Sequence, residues 1–93
     1  MNFERFIVPA CCNKTSIVFK IDRPIAANLT AFFVSRGFKE WDRFTKAGLL
    51  YVDNLDFIIT GALGSDKLQT KCKLEKDCDQ KLNKLEDLLL QME

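Results

Sequence analysis

Apolar and polar side chains alternate along two stretches of the chain, and this two-residue period predicts β-strands. Residues 16–21 place Ile17, Phe19 and Ile21 on one face. Residues 67–73 place small or apolar side chains on one face and a row of lysine and glutamine on the other. Both stretches therefore predict strands, and the second is expected to be half-buried.

Three further apolar runs complete the predicted sheet. Residues 3–8 end at Pro9 and can pair with the strand at 16–21 as a hairpin. Residues 48–52 and 55–60 are separated by Asp53-Asn54, a favourable turn pair, so they predict a second hairpin. Because nearly every residue of its first strand is apolar, we expect that strand to be central and covered on both sides.

A helical period appears twice. The first helix is predicted from Asp22, as N-cap, with Pro24 in the first turn, to a left-handed cap at Gly37. Its apolar stripe consists of Ile25, Leu29, Phe32, Phe33 and the stem of Arg36. The last helix is predicted from about Asp77, with a stripe of Cys78, Leu82, Leu85, Leu89 and Met92. Between them, residues 38–46 have a spacing of aromatic residues that suits a helical turn.

The predicted order is strand, strand, helix, strand, strand, strand, helix. This order indicates one α+β domain over residues 1–93, in which two helices pack on one face of a small antiparallel sheet. At the level of topology alone, ferredoxin-like sheets and the half-repeat of the TATA-binding protein share parts of this order. Such a likeness carries no function.

Composition agrees with a folded, non-membrane domain. The chain has 93 residues, 47% of them hydrophobic, and a formal net charge of +1. This apolar content argues against disorder, and the small net charge argues against a dedicated polyanion binder. No apolar run reaches the length of about 18 residues that a membrane helix needs. The N-terminus is too charged for a secretion signal, so the cytoplasm is the expected compartment.

Catalysis is not expected. The chain contains no histidine, the side chain that most often carries protons near neutral pH. No nucleophile stands beside a candidate base, and the acidic residues fall mainly in turns and on the terminal helix. We therefore expect neither an enzyme nor a cofactor.

Four cysteines suggest one alternative, a zinc site. In a reducing compartment they are expected to be thiols, and four thiolates match the coordination number of zinc. The candidate ligands are Cys11, Cys12, Cys72 and Cys78. Their spacing lacks paired C-x2-C knuckles, and burial of Cys72 and Cys78 as small hydrophobic side chains explains two of them without metal.

A second alternative is a surface for single-stranded nucleic acid. The candidate residues are Lys67, Lys71, Lys73, Arg36, Lys39 and Arg43. The last three lie near Phe38, Trp41 and Phe44, whose rings could stack on bases. Glu40 and Asp42 dilute the basic charge, and lysines on an edge strand have a simpler explanation, the prevention of edge-to-edge aggregation.

The favoured interpretation is a protein-binding or assembly module. Leucines 88–90 make the apolar stripe of the last helix wider than one buried seam requires. The predicted interface consists of Leu88, Leu90 and Met92, with Trp41 from the aromatic segment. We expect the partner to be another copy of the chain, commonly as a symmetric dimer, in a viral or host accessory protein.

Overall fold

The computed structural model describes residues 2–9, 15–73 and 77–92, and within them the chain forms six strands and three helices. The strands are β1 (Phe3–Pro9), β2 (Thr15–Ile21), β3 (Lys39–Glu40), β4 (Leu49–Asp53), β5 (Phe57–Ala62) and β6 (Lys67–Cys72). The helices are α1 (Ala27–Ser35), α2 (Asp42–Lys46) and α3 (Cys78–Leu90). No helix in these ranges is long and apolar enough to cross a membrane.

All six strands belong to one antiparallel sheet, in the order β1-β2-β6-β5-β4-β3. The α+β class is therefore confirmed, as are both predicted hairpins. The two-residue strand β3 is an addition that the sequence pattern did not indicate. The strand with the alternating lysines, β6, lies between β2 and β5. It is not an edge strand, so the edge explanation for its lysines was wrong.

One face of the sheet carries the core. Alternate residues of the strands point to this face and pack against α1 and α3, and Phe19 and Phe33 are both fully buried. The other buried members from the strands are Ile17, Ile21, Leu50, Val52, Phe57, Ile59 and Leu68. On β4 only Leu50 and Val52 are buried, whereas Leu49 is 41% exposed. The prediction that this strand is covered on both sides was wrong, because both long helices lie on one side.

The first helix begins later than predicted. Its N-cap is Ala26 rather than Asp22, because the backbone of Ile25 is hydrogen-bonded to another part of the chain. The N–H of Ile25 donates to the Ser65 carbonyl at 2.7 Å, and the Gly64 N–H donates to the Ile25 carbonyl at 2.9 Å. Ile25 is thus held by two backbone hydrogen bonds to the turn after β5 and is buried before the helix starts.

The end of α1 is as predicted. Gly37 has a φ of +94°, which glycine adopts without steric penalty. The Phe38 N–H donates to the Phe33 carbonyl at 3.1 Å and the Gly37 N–H to the Val34 carbonyl at 3.2 Å, the pair of bonds that defines a Schellman cap. The rings of Phe33 and Phe38 then meet edge to face with centroids 5.2 Å apart.

The last helix, α3, is fixed to the sheet by its apolar stripe and by bonds along its length. Leu82, Leu85 and Leu89 are buried against the sheet. Arg5 on β1 forms an ion pair with Glu86 at 2.9 Å. At the start of the helix, a disulfide joins Cys78 to Cys72 at the end of β6, with Cα atoms 6.0 Å apart.

This disulfide corrects the expectation that all four cysteines are thiols. The strand end and the first helical turn bring the two Cα atoms within the separation that a disulfide requires, which is about 4.4–6.8 Å. Cys72 and Cys78 are both partly buried against the core, as their places on the strand and the helix stripe predicted.

Gly61 on β5 lets Ile25 enter the core. A Cβ at Gly61 would lie 2.5 Å from Cδ1 of Ile25 and 3.1 Å from the carbonyl oxygen of Lys67. Neither distance is compatible with undisturbed packing, so the missing side chain is what allows residue 25 to pack over the sheet.

Gly61→Ala is therefore expected to lower the free energy of unfolding by about 1–3 kcal/mol, as other overpacked cores do. Ile25→Val removes Cδ1, the atom nearest to the new methyl group. In that background Gly61→Ala is expected to be less destabilising, because the closest clash is gone. Urea denaturation of the two single variants and the double variant measures this coupling. Equal losses in both backgrounds would contradict it.

Candidate functional site

The face of the sheet opposite α1 and α3 is named the open face here. Directly paired residues of antiparallel strands share a face, so the register assigns its members. They are Glu4, Phe6, Val18, Lys20, Lys39, Leu49, Tyr51, Asp53, Ile58, Thr60, Ala62, Lys67, Gln69 and Lys71. None of these side chains is fully buried.

Lysines occupy the centre of the open face. Lys20 on β2 is paired directly with Lys67 on β6, and Lys71 lies four residues further along β6, with Gln69 between the two lysines on the same face. All three side chains are exposed, and none is in an ion pair among those that the described residues form. Like charges directly opposite each other destabilise a sheet. The pair of Lys20 and Lys67 therefore does not stabilise the fold, although Lys20 also lies opposite Glu4 on β1.

A groove of about 460 Å³ lies on the open face, and Lys67 is part of its lining. Lys67, Gln69 and Val18 lie along one side, and Phe44, Leu49 and Tyr51 along the other. Thr60, Ala62 and the backbone of Gly61 lie between the two sides. The groove thus combines an aromatic wall, an amide, a hydroxyl and a cationic rim.

The aromatic wall is positioned by α2. Phe44 of this helix stacks on Tyr51 of β4 with ring centroids 4.6 Å apart and an angle of 17° between the rings. Trp41 is the residue before the helix, and its ring packs edge to face with that of Tyr51, with centroids 6.0 Å apart. The backbone N–H of Trp41 donates to the Tyr51 carbonyl at 3.0 Å. The ammonium of Lys39 lies 4.7 Å from the Trp41 ring centroid. The helical turn predicted in residues 38–46 is present at 42–46 only, since Lys39 and Glu40 form β3.

Asp53 holds Trp41 in this position. Its carboxylate accepts a hydrogen bond from Nε1 of Trp41 at 2.8 Å and one from Nζ of Lys73 at 2.8 Å. These two bonds, with that of Lys73 the stronger cause, hold the pKa of Asp53 below its ordinary value of 3.8. The carboxylate stays ionised at neutral pH and orients the indole at the end of the aromatic wall.

The basic residues that the sequence suggested as a nucleic-acid surface do not all lie on one surface of the fold. Lys67 and Lys71 lie on the open face, but Lys73 is paired with Asp53. The guanidinium of Arg43 lies 5.8 Å from the Phe44 ring centroid, at the end of the groove wall. Arg36 lies over Phe32 at the end of α1, away from the open face.

Sequence reasoning missed Lys20, Gln69 and Tyr51 as members of the site. The signal for Lys20 was present, because the alternation in β2 places it on the face opposite Phe19. What the sequence could not supply was the pairing of β2 with β6, which brings Lys20 beside Lys67.

The residues predicted as an interface lie on both sides of the sheet. Leu90 is 58% exposed at the end of α3, and Leu88 is half-buried against the core. Met92 is only 7% exposed and belongs to the core. Trp41 packs on Tyr51 of the open face, away from α3. These four side chains therefore do not form one contiguous patch.

The zinc alternative loses two of its four ligands, since the sulfurs of Cys72 and Cys78 are bonded to each other. Cys11 and Cys12 lie outside the described residues. Within 2–9, 15–73 and 77–92, no cluster of three or more histidine, cysteine or acidic side chains is arranged to hold a metal ion.

Asp53→Asn is expected to destabilise the protein at neutral pH, because it removes the charge that pairs with Lys73 and receives the Trp41 hydrogen bond. A carboxyl whose pKa is lowered in the folded state stabilises the protein fully above its unfolded pKa, near 3.8. That contribution is lost as pH falls through the lower, folded value. Melting temperatures of both proteins from pH 7 down to pH 2 are expected to converge at the acid end. A difference that stays constant with pH would contradict this account.

The site is therefore a partly aromatic groove whose lining includes Lys67, on the sheet face opposite α1 and α3. Comparisons of the chain with protein-family models, with curated proteins and with solved structures found no match. The likeness to ferredoxin-like sheets and to the TATA-binding protein half thus stays a prediction about topology.

Proposed function

We propose that this protein is a non-catalytic binding module that takes single-stranded nucleic acid on its open face. The observation that carries the proposal is the group of Lys20, Lys67 and Lys71 on two adjacent central strands that no helix covers. Among the described residues these lysines form no ion pair, and Lys20 lies opposite Lys67 on one side and Glu4 on the other. A polyanion would stabilise this group of cations, and phosphate backbones supply that charge.

The charge of the open face differs from that of the whole chain. Among the described residues it carries five lysines, counting Lys73 where it reaches Asp53, against the acidic Glu4 and Asp53. The chain as a whole has a net charge of only +1. The basic charge is therefore concentrated on one surface. The small net charge of the whole chain is thus a weaker argument against nucleic-acid binding.

The groove supports a nucleotide as the bound unit. Its volume of about 460 Å³ lies within the range of about 300–1,000 Å³ that is usual for small-molecule sites. Phe44 and Tyr51 offer ring surface for a base, Gln69 and Thr60 offer donors and acceptors for its edge, and Lys67 lies where a phosphate would be bound.

A single strand fits this surface better than a duplex. Reading the major groove of DNA requires a projecting helix or a two-stranded ribbon. The helix on the open face, α2, has only five residues and is packed on Tyr51 rather than projecting. Stacking on aromatic side chains requires bases that are unstacked, as they are in single strands.

Self-association, which the sequence favoured, stays a second proposal. The observation in its favour is the exposure of large apolar side chains away from the groove, above all Ile7 at 65% and Leu90 at 58%. The absence of catalysis also stays a prediction.

Lys67→Glu is expected to lower the affinity for a fluorescein-labelled, mixed-sequence single-stranded oligonucleotide by roughly tenfold at low salt. It should also reduce the slope of log affinity against log salt concentration by about 0.7, the value for one lost phosphate contact on a single strand. Fluorescence anisotropy over a salt series measures both quantities. The matched control is Lys84→Glu, which makes the same charge change on an exposed position of α3.

Binding should also change the emission of Trp41, the single tryptophan, because it contacts Tyr51 at the groove wall. Equal effects of Lys67→Glu and Lys84→Glu would show that only overall charge matters and would overturn the assignment to the open face. If the wild-type protein bound neither DNA nor RNA oligonucleotides at low salt, the proposed function itself would be wrong.

A further inference from the structure

The two edges of the sheet differ. At one edge, β3 has two residues, and at the other, β1 has seven. No strand within the described residues pairs with the outer side of β1. Two neighbouring residues of β1, Phe6 on the open face and Ile7 on the helix face, are 45% and 65% exposed. A long edge strand that exposes apolar side chains on both faces is a template for pairing with another strand.

The hydrogen-bond pattern tells which residues of β1 are free at this edge. The Asp22 N–H donates to the Asn2 carbonyl at 3.1 Å, so the backbone of residue 2 points towards β2. Backbone direction alternates along an antiparallel strand, so Glu4 and Phe6 also point to β2. The backbone groups of Phe3, Arg5 and Ile7 therefore point outward. The backbone of Pro9 also points outward, so the N–H that proline lacks is not one that would bond to β2.

We infer that β1 pairs antiparallel with β1 of a second copy about a two-fold axis at Phe6. In this register Arg5 of one copy faces Ile7 of the other, and the two residues exchange both backbone hydrogen bonds. Phe6 faces its own equivalent in a non-hydrogen-bonded pair, the type in which side chains approach most closely. An aromatic pair at such a site stabilises a sheet.

The alternative registers are less favourable. An axis at Arg5 would set two guanidinium groups directly opposite each other, a destabilising pair. An axis at Ile7 would leave only the Ile7 pair with both backbone bonds, because Arg5 would then face Pro9, which has no N–H to donate. The axis at Phe6 keeps two complete pairs of Arg5 with Ile7 and places Pro9 opposite Phe3 only at the two ends of the pairing. The sequence of β1 therefore complements itself best in the register centred on Phe6, and this self-complementarity identifies the occupant as another copy of the chain.

This arrangement extends the open face. A two-fold axis perpendicular to the sheet keeps the open faces of both copies on the same side, so two sets of Lys20, Lys67 and Lys71 would line one continuous surface. The inference itself stands on the edge geometry and does not depend on what the open face binds. Failure of the oligonucleotide experiment would leave it intact, and failure of dimerisation would leave the groove intact.

Ile7→Pro tests the pairing. It removes an N–H that points away from β2, and an extended strand tolerates the φ of proline, so the monomer fold should persist by circular dichroism. Sedimentation equilibrium over a concentration series should show a monomer–dimer equilibrium for the wild type and a monomer for the variant. The matched control, Ile7→Val, keeps the N–H and should dimerise within about threefold of the wild type. A wild type that is monomeric throughout, or an Ile7→Pro variant that dimerises equally, would overturn the inference.

The register is tested by cross-linking in a background of Cys11→Ser and Cys12→Ser. Phe6→Cys should form a disulfide-linked dimer on oxidation, because only residue 6 faces its own equivalent at a separation that a disulfide spans. Glu4→Cys, on the same face but off the axis, should not. Cross-linking of both variants to the same extent, or of Glu4→Cys alone, would exclude this register.

Discussion

The burial of only one face of the sheet is the constraint on which the rest of the structure depends. Because α1 and α3 both pack on that face, each long strand must supply an apolar row to the core and leave its other row in water. The central strand β6 shows the result most clearly, with Leu68 and Thr70 buried and Lys67, Gln69 and Lys71 exposed. A central strand bonded on both sides can carry lysines on that row because neither α1 nor α3 covers it.

Two features of β6 and its neighbours reduce stability rather than increase it. The direct pairing of Lys20 with Lys67 places like charges together on the open face. On the core face, the Thr70 hydroxyl is buried and has no hydrogen-bond partner among the described residues, a condition that typically lowers stability by about 1–3 kcal/mol. The anion binding that we propose would explain the first. Nothing among the described residues explains the second.

The sequence pattern correctly predicted those features that are determined by a few neighbouring residues. The period of two in β6 and the glycine after α1 identified a strand and a cap, because side-chain direction and a positive φ are set within a few residues. The start of α1 was missed, since the backbone of Ile25 bonds to a turn forty residues away in sequence. The sequence did not predict the residues of the site for the same reason. Lys20 and Lys67 are separate in sequence, and only the pairing of β2 with β6 makes them neighbours.

The disulfide between Cys72 and Cys78 spans only six residues of sequence. In the chain-entropy model a loop this short contributes about 2 kcal/mol, less than a long-range cross-link would. Three buried leucines keep α3 on the sheet without it. Its larger effect is therefore directional, because it fixes the point from which the helix leaves the central strand. Transfer between oxidising and reducing surroundings would alter the angular freedom of the first helical turn far more than it would alter whether the domain folds.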